Sequence, residues 1–141
     1  MYKKILIATD GSETADAALE HATYLAGATG ADEVVVLHVC PACTSELDPD
    51  SKNRETATEI VRKAGESIAA EGIVVRTMVE MHYPPEEVGE AVVDIATSEN
   101  VDLLILGSRG LSEFKGILLG SVSHKVLQKA SCPVLVIKAG E

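Results

Sequence analysis

Five short apolar stretches punctuate the chain: KKILIAT (3–9), EVVVLHV (33–39), IVVRTMVE (73–80), DLLILG (102–107) and PVLVIK (133–138). Most are near-continuously apolar rather than alternating, which is how strands covered on both faces read, and such strands are typically parallel and joined by helices. The segments between them supply the helices, as apolar stripes at steps of three and four. Ala15, Ala18, Leu19, Ala22, Leu25 and Ala26 form the first, and Ala57, Ile60, Val61, Ala64 and Ile68 the second. Val88, Ala91, Val92, Ile95 and Ala96 form the third, and Val122, Val126, Leu127 and Ala130 a shorter fourth. The alternation β-α-β-α-β-α-β-α-β specifies an α/β fold: an open, doubly wound parallel sheet of five strands with helices on both faces.

Length and punctuation agree with one domain over residues 1–141. Ser12 can cap the first helix, Pro84, Pro85, Glu86 and Glu87 can open the third, and Ser121 can cap the fourth. Gly30, Gly72 and Pro133 end what precedes them. No apolar run approaches the roughly 20 residues of a membrane helix. The opening MYKKILIATDG is too short in apolar residues for a secretory h-region of about 7–15. The expectation is a cytoplasmic chain whose three cysteines are reduced. A net charge of −10 argues against nucleic acid or an anionic membrane as partner. That charge is uneven: residues 107–130 hold Arg109, Lys115, Lys125 and Lys129 against the single acidic Glu113.

Strand order decides where a ligand can sit. The third strand is the most polar, with Val74, Arg76, Met78 and Glu80 on one face, so it is expected at an edge. In the order 3-2-1-4-5 the chain reverses between strands one and four, opening a crevice at their C-terminal ends. The bordering loops are then TDGSE (9–13) and GSRGLSEFKGILLGS (107–121). The alternative order 2-1-3-4-5 would put the crevice beside EMHYPPEE (80–87), which is acidic and lacks glycine. The order 3-2-1-4-5 is preferred.

The segment 107–121 has the residues that an anion site needs. Backbone N–H groups reach a phosphate only where no Cβ intervenes, which Gly107 and Gly110 provide just after a strand. Gly120 and Ser121 stand at a helix N-terminus, where unpaired N–H groups and the dipole favour an anion. Arg109 and Lys115 add charge. The plainer reading is a long connection that uses its glycines to turn. No GxxxxGK[ST] motif is present, so this is not a P-loop.

The spacing Gly107-x2-Gly110-x9-Gly120-Ser121 resembles the nucleotide-binding signature of the universal stress protein family, as do the opening YKKILIATDGSE, the strand end LHV and the ending CPVLVIK. The resemblance runs along essentially the whole chain. It implies a Rossmann-like fold that binds ATP or AMP in the crevice, with Mg2+ or Mn2+ held through the phosphates, and a stress-response role. By position, Asp10 matches the family's residue near the ribose and Val39 the strand end that contacts adenine. Leu106, Gly107, Arg109 and Gly110 match the ribose and inner-phosphate positions, and Gly120, Ser121 and Val122 the outer-phosphate positions. Ala8 and Thr9 lie at the mouth. One departure stands out: Met81-His82-Tyr83-Pro84 occupies a place where relatives often have glycine before proline, adding bulk at the adenine end. Asp10 also suits a ribose on physical grounds, since a carboxylate accepts from hydroxyls and repels phosphates; the simpler role is a helix cap or Asx-turn before Gly11.

Other signals are weaker. Cys40-Pro41-Ala42-Cys43 has the spacing of zinc sites and redox pairs. Its further ligands would have to come from Cys132, His21, His38, His82 or His124, and loop thiols are the plainer reading. His124 could face a phosphate or merely the solvent. No nucleophile, general base or carboxylate pair stands out, so an enzyme reading extends at most to slow ATP hydrolysis through a bound metal and water. A nucleotide-independent dimeric interaction module is the alternative function. A flavodoxin-like carrier is disfavoured by Asp10 and Glu13 beside a flavin phosphate and by the scarcity of aromatic residues. The last stretch, 133–138, is expected to be an edge strand and the seam of a homodimer.

Overall fold

The computed structural model describes residues 2–9, 13–40, 51–81, 88–107 and 121–138. The strands are β1 (Lys4–Ala8), β2 (Glu33–Cys40), β3 (Val75–Met81), β4 (Leu103–Gly107) and β5 (Val134–Ile137). The helices are α1 (Glu13–Thr29), α2 (Ser51–Ala69), α3 (Val88–Ser98) and α4 (Ser121–Lys129). All four strand pairings are parallel, in the order β3-β2-β1-β4-β5, so the predicted topology stands.

The continuous apolar runs are explained by two cores, one on each face of the sheet. Ile5, Ile7, Val34, Val36 and Ile105 pack with Ala18, Ala22 and Ala26 of α1 and Val61, Ala64 and Ile68 of α2. Leu6, Val35, Leu37, Leu104 and Leu106 pack on the other face with Val92 and Ala96 of α3 and Val126 of α4. Alanines on α1 let its backbone lie close to the sheet, where larger side chains would hold it away.

Strand bounds differ from expectation by one or two residues. β3 begins at Val75 because its pairing with β2 begins there, and Val74 is left 63% exposed. In α4 the buried face is Ser123 and Val126, three apart, whereas Leu127 lies one position round the helix and is 45% exposed. Gly30 and Gly72 take left-handed backbone (φ 67° and 82°) just past α1 and α2, as helix ends prefer. Helices α3 and α4 touch closely: a β-carbon on the buried Gly89 would lie 2.7 Å from Lys125 Cβ and 3.2 Å from the Val122 carbonyl oxygen. The capping roles expected of Ser12 and of Pro84 to Glu87 lie outside the described residues.

Charges organise the N-terminal ends of the strands. Asp102 accepts from the backbone N–H groups of Lys3 (2.8 Å) and Lys4 (2.9 Å), tying the start of β1 to that of β4. Arg76 bonds Glu99 and, at 3.3 Å, Glu33, and Lys4 lies 3.7 Å from both carboxylates. The hydrogen bond from Arg76 holds the Glu99 carboxyl below its usual range. A carboxyl depressed by folding supports the fold above its unfolded value of about 4.5 and loses that support as pH falls through the lower, folded value. The melting-temperature gap between the parent protein and Glu99→Gln should therefore be present at about pH 7 and shrink below about pH 4.5. Thermal melts across that range in low salt check this, and a gap independent of pH would contradict it.

Candidate functional site

The site is built where β1 and β4 lie side by side, in register from Ile5↔Leu103 to Ala8↔Leu106. After β1 the chain passes to α1 on one face, and after β4 it passes to α4 on the other. The two exits diverge, which leaves a crevice at the C-terminal ends of these strands. Ala8 and Leu106 face each other across this junction, and Thr9 and Gly107 follow them.

Register places Val39 on β2, two positions beyond Leu37, the partner of Ala8. Val39 is buried on the α3/α4 face and is paired with Glu80 of β3. Val122 is the second residue of α4 and is half-buried against the same core. The first turn of α4 is drawn onto the end of β4 by Ser123, whose Oγ donates to the Gly107 carbonyl at 3.0 Å. Ala8, Thr9, Leu106, Gly107 and Val122 are thus gathered by β1, β4 and the start of α4, with Val39 on the neighbouring strand. Ser121 opens α4, while Asp10, Arg109, Gly110 and Gly120 lie outside the described residues.

The electrostatics at α4 favour an anion. Its first turn carries no acidic residue, which suits an anion at the positive end of the helix dipole. The positive character read along residues 107–130 is nevertheless partly neutralised. Lys125 and Lys129 approach Glu90 of α3 at 3.8 and 3.2 Å. Arg109 and Lys115, the nearer cations in sequence, are outside the described residues. A separate groove of about 1230 Å³ runs between α1 and α2, lined by Asp16, Glu20, Glu55, Glu59 and Lys63, and among the described residues it shares Thr9 with the crevice. Its acidic wall is unsuited to phosphate.

Sequence reasoning missed two residues at the site. Ser123 carries no motif signal; only its place three residues before Val126 hints that it faces inward. His38 was considered only as a metal ligand, yet its Nδ1 lies 2.7 Å from the Thr9 carbonyl oxygen. Among the described residues no group of three His, Cys, Asp or Glu is placed to hold a metal. His124 is exposed.

The cysteine expectation needs correction. Cys40 is disulfide-bonded rather than reduced. It is also buried at the end of β2 against Ala57 and Val79, because strand pairing continues to Cys40↔Met81. Cys132 is a free thiol, raised above its usual range chiefly by burial, which keeps it protonated and unreactive at neutral pH. Cys43 lies outside the described residues. No described helix is long and apolar enough to cross a membrane.

Known proteins share this architecture. The model of the universal stress protein family matches residues 1–138. Universal stress protein MJ0577 of Methanocaldococcus jannaschii is 36% identical, the match covering 98% of this chain and 96% of that one. The solved structure of MJ0577 superposes with a TM-score of 0.85 at 37% identity, covering 100% of this chain and 99% of the other. A universal stress protein from Archaeoglobus fulgidus, solved in complex with dAMP, gives 0.76 at 27% identity, covering 97% and 98%. Another, solved in complex with cAMP, gives 0.75 at 26% identity, covering 96% and 97%. Sequence and fold agree: this chain belongs to the universal stress protein family.

Proposed function

We propose that the chain binds an adenine nucleotide, ATP or AMP, at the β1/β4 crevice, and that the bound nucleotide regulates its partners in a stress response. The observation that carries this reading is the juxtaposition at the switch point. The glycine segment leaves the end of β4 and re-enters the fold as α4, whose first turn is bonded back onto Gly107. That arrangement brings a helix N-terminus free of acidic residues to the mouth of the crevice. Relatives solved with dAMP and cAMP support the ligand class.

In this reading Val39 lies beside the adenine and Asp10 takes the ribose hydroxyls. Ala8, Thr9, Leu106, Gly107, Arg109 and Gly110 line the ribose and inner phosphate, and Gly120, Ser121 and Val122 hold the outer phosphates. Mg2+ or Mn2+ would be carried by the phosphates themselves. The protein works as a cytoplasmic homodimer joined along β5.

The test is direct. Purified protein is denatured and its supernatant chromatographed for adenine nucleotides, and nucleotide-free protein is titrated calorimetrically with ATP and Mg2+. Saturable binding supports the reading; no heat and no thermal shift at millimolar ATP would refute it.

A further inference from the structure

Two side chains outside the ligand-lining set end on backbone carbonyls at the rim of the crevice. The β1–β2 register ends at Ala8↔Leu37, and the Thr9 N–H still donates to the Leu37 carbonyl at 2.9 Å. The Thr9 carbonyl is met by the half-buried ring of His38, with Nδ1 at 2.7 Å. A carbonyl can only accept, so Nδ1 must carry the proton. Across the crevice, Ser123 is 1% exposed and its hydroxyl donates to the Gly107 carbonyl at 3.0 Å.

Among the described residues, most hydrogen-bonded helical hydroxyls bond back within their own helix, whereas Ser123 does not. Thr23, Thr29 and Thr97 turn back to the carbonyl four residues earlier, on Leu19, Leu25 and Val93. Ser98 turns back three residues to Ile95, and Thr29 also lies 3.4 Å from the Tyr2 carbonyl. Ser123 sits in the first turn of α4, where that partner does not exist within the helix. It crosses to a strand instead.

We propose that His38 and Ser123 are positioning residues for the nucleotide, each fixing the last peptide plane of a strand that flanks the crevice. The peptide unit is rigid, so holding its carbonyl sets the direction in which the chain leaves the strand. At Thr9 that direction leads to Asp10; at Gly107 it leads into the glycine segment. Gly107 has no Cβ to restrict its rotation, and the Ser123 hydroxyl removes that freedom. Neither side chain need touch the ligand. The proposal rests on the nucleotide reading above and adds what pre-organises the site, so that less ordering remains to be done on binding.

The experiment compares His38→Leu and Ser123→Ala, which remove the donors, with His38→Asn and Ser123→Thr, which retain an N–H and a hydroxyl. ATP affinity is measured by calorimetry, stability by thermal melts, and the Thr9 and Gly107 carbonyls by their ¹³C shifts. Each donor deletion should weaken ATP about tenfold and move only its own carbonyl signal. The two act on different strands, so the double deletion should cost about a hundredfold. The donor-retaining variants should recover to within about threefold of the parent. In the parent ¹⁵N spectrum, His38 should carry its proton on Nδ1.

Folded deletion variants that bind ATP as the parent does would overturn the positioning role alone, as would a His38 ring unprotonated at Nδ1. A parent protein that binds no adenine nucleotide would overturn the nucleotide reading itself, and this inference with it. Should His38→Leu fail to fold, the Ser123 pair and the ring protonation still decide. Ser123→Ala removes a single oxygen and leaves the core shape intact.

Discussion

Replacing Gly110 and Gly120 together by valine is expected to weaken ATP binding more than about a hundredfold while the protein remains folded. Backbone N–H groups can hold a phosphate only at hydrogen-bond distance, and a branched side chain puts methyl groups in the approach path. The lost bonds are charge-assisted, each worth about 1.5–3 kcal/mol, so losing even two accounts for the predicted factor. Both glycines lie outside the described residues, and the two cores described above draw on strand and helix residues. Melting temperature should therefore change little. Calorimetric titration of the folded double variant checks this, and parental affinity would remove the glycine segment from the site.

Val136→Pro is expected to convert a dimer into a monomer. β5 is an edge strand, and Val134, Leu135, Val136 and Ile137 are all only half-buried within one chain. The Leu104 N–H donates to the Pro133 carbonyl at 3.0 Å, with Leu104 in register with Val134. In a parallel ladder this directs residues 135 and 137 toward β4 and the N–H groups of Val134 and Val136 outward. Proline at 136 thus removes an outward donor while sparing the ladder to β4, as proline on edge strands does. Antiparallel pairing of β5 with its copy would occupy that outward row and cover the half-exposed side chains. Light scattering should read twice 14.8 kDa for the parent and 14.8 kDa for the variant. A parent already monomeric at micromolar concentration would exclude the seam.

The fold was legible because burial on both faces writes itself into sequence. Ile5, Leu6 and Ile7 cannot alternate when each faces a covered side, and a run of that kind between helical stripes admits few topologies. The polarity of Arg76 and Glu80 marked β3 as an edge for the same reason. Within the proposed site, the sequence points to positions where the proposed chemistry requires a residue type, as at Gly107. It gives no such pointer where a common residue acts through a distant partner. Ser123 and Gly107 are 16 positions apart, and His38 and Thr9 are 29 apart; no local pattern encodes either bond. Leu127 misled because the short α4 stripe has too few apolar residues to define its face. Cys40 misled because β2 runs one residue further than its apolar pattern, which ends at Val39.

The contact at Gly89 has a mechanical consequence. Gly89 and Val122 are the second residues of α3 and α4, and the space a β-carbon would need on Gly89 is already taken by Lys125 and the Val122 carbonyl. The opening turns of the two helices therefore mesh like teeth, with little compliant side chain between them to absorb a displacement. One tooth opens the helix that follows β4 and the glycine segment; the other opens the helix that follows β3. Strain introduced at the start of α4 has a stiff route to the start of α3 through helix–helix contact, bypassing the sheet.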